Sequence, residues 1–114
     1  MTRTFPATVT RIVDADTSDC EVDLGFHVGI KERFRLFGVN APESRTRDKA
    51  EKARGLAATA FVRDLIRQND NAVTLDVSKG TGKFGRWLAI VELSEGRTLN
   101  DALLAAGHAV RADY

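Results

Sequence analysis

The stretch Arg-Phe-Arg-Leu-Phe-Gly-Val-Asn-Ala-Pro-Glu, residues 33–43, decides how this chain is read. Phe34 and Leu36 alternate with Arg33 and Arg35, the period-two pattern of a strand with one buried face. Arg33 and Arg35 therefore share the opposite face. Gly38 and Pro42 break the alternation, so residues 38–47 read as a loop leaving the strand. Pro42 fixes its own φ and helps hold Asn40 and Glu43 in place.

Upstream, residues 4–14 alternate in the same way, with Phe5, Ala7 and Val9 set against Thr4, Thr8 and Thr10. Pro6 has no N–H and marks an edge or irregular position in that strand. Asp14-Ala15-Asp16 is a turn into a second strand over residues 17–24. Gly25 and Gly29 then link it to the third strand, residues 30–37. Three strands in hairpin order predict an antiparallel meander.

Downstream, Asp48 or a neighbour caps a helix over residues 49–68. There Ala53, Leu56, Ala57, Ala60, Phe61 and Leu65 recur at helical spacing and are expected to face the core. Residues 72–77 and 86–93 read as a fourth and a fifth strand, joined by a mobile Gly/Lys loop over residues 78–85. Thr98, with Asp101 three residues on, resembles a capping signal. The short helix that follows carries Leu99, Ala102, Leu103 and Ala106, stops at Gly107, and leaves residues 109–111 for a last pairing. One domain over residues 1–114 is expected, of α+β class and mainly strand. Its five antiparallel strands fit a small OB-type barrel with two helices.

Composition bounds the function. With 43% apolar and 29% charged residues in 114, the chain suits a folded globular domain and not a disordered one. Cys20 is the only cysteine, which excludes an internal disulfide and a multi-cysteine metal site. No apolar run approaches a membrane span, and the N-terminal residues lack a secretion signal. A cytoplasmic protein is expected, and a phage or mobile-element origin is compatible with the sequence. The net charge of +1 does not by itself point to a nucleic-acid partner. The charges are unevenly placed, however. Residues 14–23 carry five acids and no base, whereas residues 31–54 carry eight bases against four acids, a local +4. Acids beside bases in this way suit a divalent cation that holds a phosphate.

Three features carry chemistry. Asp14 and Asp16 flank a tight turn and can present oxygen to a hard cation. Arg33 and Arg35 offer planar forks matched to phosphate, and Glu43 can activate water. Ser78-Lys79-Gly80-Thr81-Gly82-Lys83-Phe84 looks like a phosphate loop but fails the P-loop pattern. Val77 stands where its first Gly belongs and Phe84 where Ser or Thr is required, so an NTPase is excluded. His27 and His108 show no metal-ligand spacing. Cys20 is expected to be a buried, inert thiol, and Trp87 a core or pocket-wall residue.

In combination these pieces resemble the staphylococcal nuclease (thermonuclease) family. The matching strings are Val-Asp-Ala-Asp-Thr (13–17), residues 33–43 as quoted, Lys-Phe-Gly-Arg with Leu-Ala-Ile-Val (83–91), and Leu-Asn-Asp-Ala-Leu-Leu-Ala-Ala-Gly (99–107). The resemblance implies an OB-fold barrel lacking the family's C-terminal third helix. It also implies a Ca²⁺-dependent phosphodiesterase that cleaves DNA and/or RNA with low sequence preference. Carried over position by position, Asp16, Asn40 and the main-chain carbonyl of Ala41 would bind metal. Arg35, Glu43 and Arg86 would be catalytic, and Asp14 would support the metal site. Lys83, Phe84 and Tyr114 would border the nucleotide.

Two departures from the family pattern bear on activity. Asn40 replaces a metal-binding aspartate and removes one negative charge, and Phe84 replaces a tyrosine while keeping a face for base stacking. A monomer is expected, with a dimer as the alternative because the third helix is missing. The rival to a nuclease is a noncatalytic OB module that binds nucleic acid or protein, and Asn40 is the feature that favours it.

Overall fold

The computed structural model describes residues 3–112, with Phe84 described by its main chain alone. Its elements are β1 (Thr4–Asp14), β2 (Thr17–Asp23), β3 (Gly29–Leu36), β4 (Val39–Asn40), α1 (Lys49–Gln68), β5 (Ala72–Asp76), β6 (Trp87–Glu92), α2 (Leu99–Ala105) and β7 (Val110–Arg111). Five strands close into a barrel in the order β1-β2-β3-β6-β5, which is an OB-type α+β fold.

β1 makes closure work because it belongs to two pairings. Its first half pairs with β5, and from Ala7 onward it pairs with β2. Register shifts between Val9 and Arg11 and between Ile12 and Asp14 bend it around the barrel. Pro6 lies opposite Thr74 of β5 and precedes the first β2 pair, so its missing N–H costs no β2 bond.

One pairing departs from expectation. β3 and β6 run parallel, Phe34 to Leu36 against Trp87 to Ala89, while the other barrel pairs are antiparallel. The chain reaches β6 through α1 and β5, a connection long enough to return in the same direction. A second, two-stranded sheet joins β4 to β7, with Asn40 opposite Val110. The loop expected over residues 38–47 therefore contains a short strand, and the last pairing expected at residues 109–111 finds its partner there.

α1 has the expected bounds. Asp48 Oδ1 accepts from the N–H groups of Ala50 and Glu51 at 3.0 and 3.2 Å. Asp70 and Asn71, both at positive φ, turn the chain out of the helix. The buried face differs from the expected one. Gly55, Ala58, Thr59, Val62 and Ile66 are buried, while Phe61 and Leu65 are half-buried. Ala53, Ala57 and Ala60 are exposed, as is Leu56 at 54%. The buried face is thus rotated from the expected stripe onto Gly55, Ala58, Thr59, Val62 and Ile66, with Phe61 and Leu65 packed at its margin.

α2 begins at Thr98, whose Oγ1 accepts from Asp101 N–H at 3.1 Å. It ends in a Schellman pair, with His108 N–H to Leu103 O at 2.9 Å and Gly107 N–H to Leu104 O at 3.1 Å. Leu99 and Leu103 are buried, while Ala106 is exposed. The core continues through Val22, Phe34, Leu36, Leu75 and Val91. Each large apolar side chain buried there contributes roughly 1.5–3 kcal/mol. No helix is long and apolar enough to cross a membrane.

Candidate active site

The β1–β2 turn carries Asp16 into the protein, where it is 5% exposed. A buried carboxylate must be satisfied, and three donors do this. Ala41 N–H reaches Oδ2 at 3.0 Å, Arg35 Nη1 reaches the same oxygen at 3.2 Å, and Thr17 Oγ1 donates to Oδ1 at 3.1 Å. Arg35, 9% exposed at the end of β3, extends its Nη2 to Asn40 Oδ1 at 3.1 Å. One guanidinium thus joins the β1–β2 turn to the strand β4.

The loop after β4 is held from both sides. Ser44 is buried, and its hydroxyl donates to Asp14 Oδ1 at 2.6 Å, so Asp14 anchors the loop that carries Glu43. On the other side α1 presses Gly55 against the main chain. A Cβ at Gly55 would fall 2.5 Å from the Glu43 carbonyl carbon and 2.6 Å from Ser44 N. Only glycine fits there. Ala41 is buried, Pro42 is half-buried, and Glu43 is exposed.

Opposite this loop lie Lys83 and Arg86. The segment expected to be a Gly/Lys loop carries main-chain hydrogen bonds of its own. Lys83–Gly85 forms a 3₁₀ turn, Gly82 N–H donates to Arg86 O at 2.7 Å, and Leu88 N–H donates to Gly80 O at 3.0 Å. Gly85 takes a φ of +69°, which a side chain would resist.

Arg35, Asn40, Glu43, Lys83 and Arg86 line one cleft of about 260 Å³, floored by Gly82 and Leu88. Its walls carry three cationic side chains and one carboxylate, a balance suited to a phosphate diester beside a single base. Asp16 lies behind Arg35 and does not line the cleft. Ala41 opens onto a neighbouring cavity of about 480 Å³ that shares Asn40 and Glu43 with the cleft and adds Arg54 and His108. Tyr114, expected beside the nucleotide, lies outside the described residues, as does the Phe84 side chain. Arg33 does not join Arg35 in the cleft. It makes a two-point bridge to Asp19 at 2.7 and 3.1 Å, which holds the Asp19 carboxyl below the usual carboxylate range.

A divalent cation is tested by its donor set. Asp16, Asn40 and the Ala41 carbonyl supply hard oxygens, the donor class that Ca²⁺ and Mg²⁺ take. The charge is low: among the described residues no three His, Cys, Asp or Glu side chains gather to hold a metal. These residues suit such an ion by donor type, and Asp16, their one carboxylate, is buried and accepts from Thr17, Ala41 and Arg35.

Residues 33–114 match the family model for staphylococcal nuclease homologues. The chain belongs to that family. The match begins at Arg33 and takes in every cleft residue named above. Within this staphylococcal nuclease homologue, two supporting positions escaped the sequence reading. Gly55 passed as an ordinary helix residue. Asn100 is buried in α2; its Oδ1 accepts from Val91 N–H at 3.0 Å and its Nδ2 donates to Phe37 O and Ala89 O at 2.9 and 3.2 Å. Asn100 thereby ties the end of β3, just before β4, to β6. A signal was present, since asparagine in a first helical turn competes for backbone partners and is seldom there for propensity.

Proposed function

We propose that this protein hydrolyses phosphodiester bonds of DNA or RNA with low sequence preference. The observation that carries the reading is the single cleft in which Arg35, Arg86 and Lys83 face Glu43. Membership of the staphylococcal nuclease homologue family supports it. Arg35 and Arg86 grip the non-bridging oxygens of the scissile phosphate with forked, charge-assisted bonds. Glu43, exposed at the cleft wall, takes the proton of a water aligned with phosphorus. The two guanidinium groups then meet the charge that builds on the pentacoordinate phosphorus. Arg86 faces the departing 5′ oxygen, and Lys83 binds the next phosphate along the strand.

Asp16, Asn40 and the Ala41 carbonyl would hold a divalent ion, Ca²⁺ in the first instance. When bound, such an ion supplies Lewis-acid neutralisation of the phosphate. Asp16 also has a role that needs no metal: with Asn40 it orients the Arg35 guanidinium.

The test is degradation of single-stranded DNA and RNA in Ca²⁺, Mg²⁺ and Mn²⁺ against a chelator. Glu43→Gln and Arg86→Ala should each lower kcat/KM by roughly 100-fold or more. Undiminished cleavage by either variant would sink the mechanism. Binding without cleavage in every metal would leave a nucleic-acid-binding barrel and no nuclease.

A further inference from the structure

Three arginines converge between β1 and α1. Arg11 of the strand and Arg63 and Arg67 of the helix line one cavity of about 380 Å³, with Val9 and Ile66 among its apolar lining. No aspartate or glutamate lines it. Among the described residues none of the three arginines makes an ion pair. Asp19 faces Arg11 across the β1–β2 pairing, but Arg33 holds that carboxylate at two points. Asn71 also lines the cavity. Its main chain is fixed, with its N–H donating to Ile66 O and its carbonyl accepting from Val9 N–H, both at 2.8 Å. Its side-chain amide has no hydrogen bond among the described residues.

Folding alone gives no reason for this grouping. Arg63 and Arg67 stand four apart on the helix, where like charges repel, and Arg11 adds a third. The negative end of the helix dipole accounts for Arg67, which lies in the last turn, and for neither of the others. A phosphate would relieve the repulsion, and the guanidinium fork is well matched to it. The cavity falls within the roughly 300–1,000 Å³ of ordinary ligand sites. Its position ties it to the cleft. β1 and α1 also clasp the Glu43 loop, through Asp14 on one side and Gly55 on the other. Arg11 precedes Asp14 by about 10 Å along the strand. Arg63 and Arg67 follow Gly55 by about 12 and about 18 Å along the helix.

We infer that this cavity is a second phosphate site, which holds the backbone of a single nucleic-acid strand a few nucleotides away from the cleft. The choice of a nucleic acid rests on the reading of the cleft given above. The choice of a phosphate rests on the three guanidinium groups. An OB fold commonly covers about 4–16 nucleotides of one strand, which spans the separation between cavity and cleft. Arg11, Arg63 and Arg67 take the phosphate oxygens, and the Asn71 amide donates beside them. Phosphate contacts fix position and carry no sequence information. The site therefore favours longer strands without adding a base preference.

The test is the affinity of the full chain for a labelled single DNA strand of about 16 nucleotides, the upper site size of one OB fold. Anisotropy is followed in a chelator across a salt series. Wild type is compared with the triple variant Arg11→Gln, Arg63→Gln, Arg67→Gln. A second triple variant, Lys31→Gln, Lys52→Gln, Arg97→Gln, removes the same charge from exposed bases that do not line the cavity. The cavity variant should bind about 100-fold more weakly at about 0.1 M salt. Each single-strand phosphate contributes about 0.7 to the salt slope, so three amount to roughly two decades between about 0.1 and 1 M. Its salt slope should be shallower by about two, and the second variant should stay within a few-fold of wild type. Arginine-to-lysine changes at the three cavity positions should keep the slope. Circular dichroism and urea unfolding confirm that both triple variants fold. A wild type that never cleaves yet shows this difference ends the nuclease reading and upholds the second site. Equal binding by wild type and the cavity variant overturns the proposal, as does an equal loss in both triple variants, which would leave net charge as the cause. So does strand affinity unchanged in the cavity variant together with lost binding to phosphatidylserine vesicles, which would make the cavity a membrane contact.

Discussion

Gly55 of α1 rests against the main chain of Glu43, so closely that a single methyl group at residue 55 would overlap the Glu43–Ser44 peptide. The carboxylate of the cleft is therefore positioned from behind by a helix whose own side chains never enter it. The relationship turns a packing detail into a requirement on the chemistry.

Replacing Gly55 with alanine should destabilise the protein, against the usual trend. In a helix interior that change ordinarily gains about 1 kcal/mol. Here the clash with Glu43 and Ser44 outweighs the gain, since overpacking costs roughly 1–3 kcal/mol. Urea unfolding should show a net loss, and kcat should fall more than KM rises because the Glu43 loop is displaced. Alanine at Gly55 with full stability would show that the helix can retreat.

Asn100→Ala should cost about 2–4 kcal/mol. It strands the Val91 N–H and the Phe37 carbonyl, while the Ala89 carbonyl keeps its bond from Phe37 N–H at 2.8 Å, and an orphaned buried group costs about 1–3 kcal/mol. The end of β3 loosens with it, so activity should decline below the unfolding temperature. Denaturant unfolding and kinetics on the same samples separate the two effects.

Asn40→Asp restores a second carboxylate beside Asp16 and next to Arg35. Ca²⁺ affinity, measured by calorimetry without nucleic acid, should rise by about tenfold or more. An unchanged affinity would remove Asn40 from the cation site.

Cys20 is buried in β2, and desolvation pushes its thiol up from 9.0 to about 12. The folded state thus binds the thiol proton more tightly than the unfolded chain does. That contribution to stability is complete below pH 9.0 and is lost as pH rises toward about 12. Cys20→Ala should flatten the alkaline decline in stability. Labelling by a thiol reagent at neutral pH should proceed only at the rate of unfolding.

Much of this was legible in the sequence because local chemistry and tertiary structure agreed. Asp48 and Thr98 cap the helices they precede, and residues 33–36 form the strand that their alternation indicates. The positions of Arg35, Asn40, Glu43 and Arg86 along the chain led to one cleft. The rest depended on partners. Alternation tells a strand which face is buried but not which strand lies beside it, so the parallel β3–β6 pairing was hidden. α1 is apolar on several sides through its alanines, and its buried face includes Gly55 and Thr59, residues that carry no hydrophobic signal, beside Ala58, Val62 and Ile66. The acids and bases read as separate patches are in part cross-strand neighbours, with Asp19 facing Arg33 and Glu21 facing Lys31.

The small sheet has a consequence for the order in which the protein is made. Asn40 is paired by Val110, and Gly38 accepts a bond from Ala112. All five barrel strands are complete by Glu92. On a ribosome, then, the strands of the barrel emerge before the residues that clamp the Asn40 loop. A nascent chain stopped before residue 110 has every strand of the barrel but lacks the clamp on one wall of its cleft. Translation runs past that point before the β4–β7 pair can form, so the Asn40 wall of the cleft is the last part of the site to gain its support.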